Sequence, residues 1–260
     1  MRTALLLLPL VAALAACGGD TLAIDPIAQA ADTTAKAGSE HVEFLGVSTV
    51  QGRQIRMTGS GDFGNNPQLG RMTLRFDAGG KAGELTEITK GWRIYMTSPL
   101  FNGQLPSGKK WLSLDLVKAG KSAGLDFSSM TAQTPGQTLQ QLKASGDVRK
   151  VGTETIDGVE TTHYTATIDP ARIPNGARLQ KLTGASYKPV DVWVDGDEHV
   201  KRLHIAYSMT GAAAAGVGSS NEMTMTFSDF GKHVDVSVPP DAETYDVTGE
   251  TAKTLQNGGS

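Results

Sequence analysis

The chain has 260 residues, with 24 Lys and Arg against 27 Asp and Glu and a formal net charge of −3. No basic run supplies the electrostatic footprint of phosphate-backbone binding, which argues against nucleic acid as a partner. Its single cysteine, Cys17, leaves no internal disulfide and no Cys-based zinc site to build.

Met1-Arg2 precede an apolar stretch from Ala4 to Ala16 that contains Leu5-Leu6-Leu7-Leu8. A short cationic end, an apolar segment of about 7–15 residues and small residues before a cut site describe a secretory signal over 1–16. The run is shorter than the ~20 apolar residues a spanning helix needs. Leu14-Ala15-Ala16-Cys17 resembles the bacterial lipobox, in which the thiol is acylated and the cysteine becomes the mature N-terminus. Cys17 is therefore the expected lipidation site, tying the chain to the outer side of the cytoplasmic membrane through a tether over 17–24 that opens with Gly18-Gly19-Asp20. The remainder of the chain is of a size that one domain accommodates, expected over 25–248.

Asp25-Pro26 predicts a helix start, with Asp as N-cap and Pro in the first turn. Ile27, Ala28, Ala31 and Ala35 share one face, and Gly38 closes a helix over about 25–37. From Val42 the period changes to two. Met72, Leu74 and Phe76 alternate with polar residues, as do Trp92, Ile94 and Met96, and Leu112, Leu114 and Leu116. The pattern recurs at Tyr164, Ala166 and Ile168, at Val190, Val192 and Val194, at Leu203, Ile205 and Tyr207, and at Met223, Met225 and Phe227. Turn signals at Asp77-Ala78-Gly79-Gly80, Asp157-Gly158 and Asp195-Gly196-Asp197 join these into an antiparallel meander with one apolar face. Helical segments are expected over 137–143 and from Pro170 to Leu182. A Gly/Ala/Ser-rich loop is expected over 211–220, and a flexible tail over 249–260.

About seven amphipathic strands present more apolar surface than three short helices obviously hide. The sheet either curls into a filled core or stays a half-barrel with an apolar cavity, and periodicity does not separate the two. Lys109-Lys110-Trp111-Leu112-Ser113-Leu114-Asp115-Leu116 resembles the "gkWl.ldl" strand of the actinobacterial LppX/LprG lipoprotein family. Val148 to Val159 together with Thr162-His163-Tyr164 is similar to its "vG.e.vdGv.t.hY" hairpin, and Val192-Trp193-Val194-Asp195 with Lys201-Arg202-Leu203 to its "vWvD…vrr" hairpin. The resemblance runs over residues 25–246. It implies an α+β, LolA-like fold: a strongly curved antiparallel sheet, with a few short helices on its concave side, opening onto an apolar cavity. It further implies an acyl-chain ligand, a lipid, glycolipid or lipoprotein, held for transport or shielding at the cell envelope. Candidate cavity residues are Met72, Leu74, Ile94, Met96, Leu112, Leu114, Val192, Ile205, Met223 and Met225, each on the apolar side of its strand. The alternative is a tethered sensor or interaction module with a filled core that docks a protein partner.

No chemistry-bearing constellation competes with that reading. His41, His163, His199, His204 and His233 are scattered, without a His-x-x-x-His helix. Asp195-Gly196-Asp197-Glu198 lacks the ligand spacing of a calcium loop and reads as a turn. Gly59-Ser60-Gly61 and Gly218-Ser219-Ser220 read as loop composition, and no Gly-x-Ser-x-Gly elbow occurs. The chain is expected to be neither an enzyme nor a holder of metal or cofactor.

Overall fold

The structure, a computed structural model, describes residues 25–50, 52–65, 68–78, 81–122, 145–172, 176–210 and 219–257. Cys17 and its leader, the expected helix 137–143 and residues 211–218 of the expected loop lie outside the described residues.

Helix α1 (Pro26–Lys36) forms as its sequence dictates. The Asp25 carboxylate accepts from the Ile27 and Ala28 amides at 3.0 and 3.1 Å, satisfying two donors that the first turn leaves unpaired. Its buried face is Ile27, Ala30, Ala31 and Thr34, rotated slightly from the one expected. Thr34 explains the rotation: its Oγ1 donates to Ala30 O and accepts from Val200 N at 2.9 Å, pinning the helix to the sheet.

The strands are β1 (Ser39–Val50), β2 (Arg53–Asn65), β3 (Gln68–Ala78), β4 (Lys81–Lys90), β5 (Arg93–Thr97) and β6 (Trp111–Asp115). They continue as β7 (Ser145–Ile156), β8 (Val159–Ile168), β9 (Ser186–Tyr187), β10 (Val190–Asp195), β11 (Val200–Met209), β12 (Ser219–Ser228) and β13 (Thr244–Asp246). Three further helices are α2 (Leu116–Ser122), α3 (Gly176–Thr183) and α4 (Thr248–Asn257). All strands belong to one curved, unclosed sheet in the order β13-β6-β5-β4-β3-β2-β1-β12-β11-β10-β8-β7, with β9 added beside β11. Every pairing is antiparallel except β13 on β6.

Helix α1 lies on one face of this sheet, here the inner face. Ile27, Ala30 and Ala31 pack there with Val42, Val190, Val192, Leu203 and Phe227 into the main core cluster. Residues 229–240 carry the chain from β12, in the interior of the sheet, to its β6 edge, where Lys110 N donates to Glu243 O at 2.8 Å and β13 pairs with β6.

Three expectations change. Gly59-Ser60-Gly61 and Ser219-Ser220 are not loops but lie inside β2 and β12. Glycine there answers to close approach rather than to a turn: a Cβ on Gly61 would collide with the Arg71 carbonyl, and one on Gly59 with that of Thr73. The region expected as a flexible tail is instead helix α4 through Asn257; the Thr248 hydroxyl at its start accepts from Asp115 N at 2.9 Å. In the 195–199 hairpin the left-handed residue is Glu198, at φ 63°, rather than Gly196, and the pairing of β10 shifts between Trp193 and Val194. The Asp157-Gly158 turn matches its sequence signal, with φ of 49° and 81°.

Candidate functional site

Residues paired across a ladder project from the same side of the sheet, so the register fixes which side chains share the inner face. One row runs Phe227, Val42, Gly61, Met72, Glu87, Met96, Leu112 and Tyr245, from β12 across to β13. A neighbouring row runs Val192, Leu203, Met225, Phe44, Gly59, Leu74 and Leu85. Ile94 pairs with Leu114 and Ile205 with Met223, one alternation further along the same strands. All ten residues singled out from alternation therefore share one face.

Burial divides the ten. Val192 is fully buried and Met225 is 6% exposed, both within the cluster under α1. These two are core positions rather than cavity wall, because the helix occupies the space in front of them. Ile205, Met223 and Met72 are half-buried and pack against that cluster. Leu74, Ile94, Met96, Leu112 and Leu114 are half-buried on β3, β5 and β6 and lie outside it.

Alternation did not reveal Glu87, which stands between Met72 and Met96 in the first row. Strand β4 carries Gly83, Glu84, Thr86 and Thr89 around it, a composition with no legible apolar face. The signal that could have found it is the Asp77-Ala78-Gly79-Gly80 turn pattern in the sequence, since β4 pairs directly with the more obvious β3, Ala78 opposite Lys81. Thr89 Oγ1, in a residue only 2% exposed, donates to Glu87 Oε1 at 3.3 Å. Burial pushes the Glu87 carboxyl above its ordinary range, and the Thr89 hydrogen bond offsets this in part.

The outer face is largely polar on β8 and β10–β12, whereas on β4 and β5 it buries Ile88 and Tyr95, which pair with each other. His163 stacks on Trp193 with ring centroids 4.3 Å apart, and its Nε2 pairs with Asp191 at 3.0 Å. His204 pairs with Thr224 and His41 with Asp62, while His199 stacks on Phe230. Asp195 accepts from the amides of Asp197 and His199, so its carboxylate serves the turn. Among the described residues, no group of three His, Cys, Asp or Glu could hold a metal ion. One cavity of about 400 Å³ is lined by His41, Asp62, Arg71 and His233, and a groove of about 1000 Å³ by Thr58, Thr73, Arg75 and Arg202. Both are walled mainly by charged and hydroxyl groups, unlike the inner face. No helix among the described residues is long and apolar enough to cross a membrane.

An unclosed, curved antiparallel sheet with short helices, one of them laid along its apolar face, defines the class as LolA-like. The chain belongs to the LppX_LprAFG lipoprotein family, whose model matches residues 21–236. It is 29% identical over 238 residues to a Streptomyces coelicolor protein named as a lipoprotein, covering 85% of this chain and 74% of the relative. A 31.2 kDa Streptomyces griseus protein is 32% identical over 156 residues, 54% of this chain and 48% of that protein, so the chain spans about half of it. Among solved structures, the Mycobacterium tuberculosis lipoprotein LppX superposes with a TM-score of 0.52 at 21% identity, covering 82% of this chain and 96% of that one. At that identity the likeness speaks for the fold.

Proposed function

We propose that this lipoprotein is anchored outside the cytoplasmic membrane through acylated Cys17 and holds the acyl chains of an amphiphile on the β3–β6 half of its inner face. The observation that carries this reading is that Leu74, Ile94, Met96, Leu112 and Leu114 share one face yet remain half-exposed, while the other half of that face is filled by α1. Apolar side chains left in partial contact with water gain when a chain covers them, by roughly 0.8 kcal/mol per CH₂ buried. The mechanism is reversible burial without covalent chemistry, and family membership supports an envelope location.

Native mass spectrometry of the protein purified without its Cys17 acyl anchor, combined with titration by a fluorescent acyl probe, tests the proposal. Recovery of bound lipid or saturable probe binding supports the carrier. A clean apo mass with no probe binding leaves a tethered module that docks a protein partner. Anchoring is checked separately: Cys17→Ser is expected to shift the protein out of the membrane fraction and remove the acyl mass. Retention of Cys17→Ser in that fraction, with no acyl mass on the wild type, would overturn the anchor.

A further inference from the structure

The first inner-face row holds eight residues, and seven are apolar or glycine: Phe227, Val42, Gly61, Met72, Met96, Leu112 and Tyr245, counting Tyr245 by its ring. The eighth is Glu87. Inner-face positions beside it on the flanking strands are Gly70, Met72 and Leu74 on β3 and Ile94 and Met96 on β5, none of them charged. Along its own strand stand Leu85 and Thr89. Its one hydrogen bond among the described residues is the 3.3 Å contact from Thr89, longer than the usual range for a hydroxyl donor. A carboxyl group offers about four acceptor sites when ionised. Apart from Thr89, none of the inner-face neighbours named above carries a side-chain donor, so acceptor sites remain for an added one.

We infer that Glu87 selects the ligand: the bound amphiphile carries a hydrogen-bond donor, hydroxyl or ammonium, set against its chains, and an anionic head is rejected at this point. The inference rests on the carrier reading and deepens it. A donor reaching Glu87 satisfies acceptor sites that Met72 and Met96 cannot. A carboxylate or phosphate brought to the same place would set like charges together in an environment of low dielectric. The residue thus discriminates by what it repels as well as by what it binds.

Three ligands of one chain length separate these effects: dodecylamine, dodecanol and dodecanoic acid, each competing with a fluorescent acyl probe at pH 7.5. The full-length protein is used, with detergent held below its critical micelle concentration. Wild type is expected to release the probe at an amine concentration about tenfold below that needed for the acid, with the alcohol between them, since a charge-assisted hydrogen bond is worth about that factor. Glu87→Gln, of nearly the same shape, should bring amine and acid within about twofold. Glu87→Asp, which draws the carboxyl back by one methylene, should keep the order with a smaller spread. Circular dichroism of each variant establishes that the sheet is retained. Equal ranking of amine and acid by wild type, or an unchanged ranking in a folded Glu87→Gln, overturns the role of Glu87 while leaving the carrier standing. Absence of any probe binding overturns the carrier, and this inference with it.

Discussion

The two halves of the inner face are built from the same kinds of side chain and end in different states. On β10, β11, β12 and β1, the residues Val190, Val192, Leu203, Val42 and Phe227 are at most 1% exposed. On β3, β5 and β6, the residues Leu74, Ile94, Met96, Leu112 and Leu114 are only half-buried. What differs is the cover. Ala30 and Ala31, with small side chains, let α1 approach the sheet closely, and Thr34 fixes the helix to the start of β11. Such a helix fills the hollow in front of the strands it touches. The same apolar pattern thus forms a closed core in one half and stays half-buried in the other.

The sharpest way to break this contrast is to empty the packed half. Phe227→Ala removes a fully buried ring from beneath α1 and is expected to cost about 3–5 kcal/mol by chemical denaturation. A loss below about 1 kcal/mol would mean that this half is not packed as described. A matched pair of enlargements sharpens the comparison further. Val192→Trp overfills the core and should lower stability by about 1–3 kcal/mol, a fall of several degrees in melting temperature at this size. Leu114→Trp, at a half-buried position, should change stability by less than about 1 kcal/mol and, on the carrier reading, weaken acyl-probe binding. Equal destabilisation by both would erase the distinction between the halves.

The smallest expected effect concerns pH. In the unfolded chain Glu87 releases its proton at an ordinary glutamate value, near about 4.3, whereas burial makes the folded state keep the proton to higher pH. Between those two values the folded state binds more protons than the unfolded one, so this group's contribution to stability falls as pH rises. The resulting cost is fully developed above the folded value and absent well below the unfolded one. Replacing Glu87 by Gln removes it. The melting temperature of Glu87→Gln relative to wild type should therefore rise between pH 4 and pH 7.5, and a flat or opposite trend would contradict the burial of this carboxyl.

Much of this was legible in the chain itself, for reasons of local physics. Asp25-Pro26 specifies a helix start through side-chain capping and a fixed φ, and Asp157-Gly158 specifies a hairpin because both residues tolerate positive φ. Period-two alternation placed Met72, Leu74, Ile94, Met96, Leu112, Leu114, Ile205 and Met223 on the apolar side of their strands, and pairing carries that side unbroken across the sheet. Local rules failed where the cause lies on another strand. Gly59 and Gly61 read as loop because glycine is a poor strand former, but the nearness of the β3 backbone selects them. The helix from Thr248 was missed because its segment is polar and its anchor, the amide of Asp115, lies far away in sequence.

By itself, then, the sequence determined the alternation, the turns, the first helix and the family pattern, all set by residues within a few positions of one another. Which half of the apolar face is filled depends on where α1 lands, and the company of Glu87 depends on register with β3 and β5. Both are long-range pairings, and only the tertiary structure decided them.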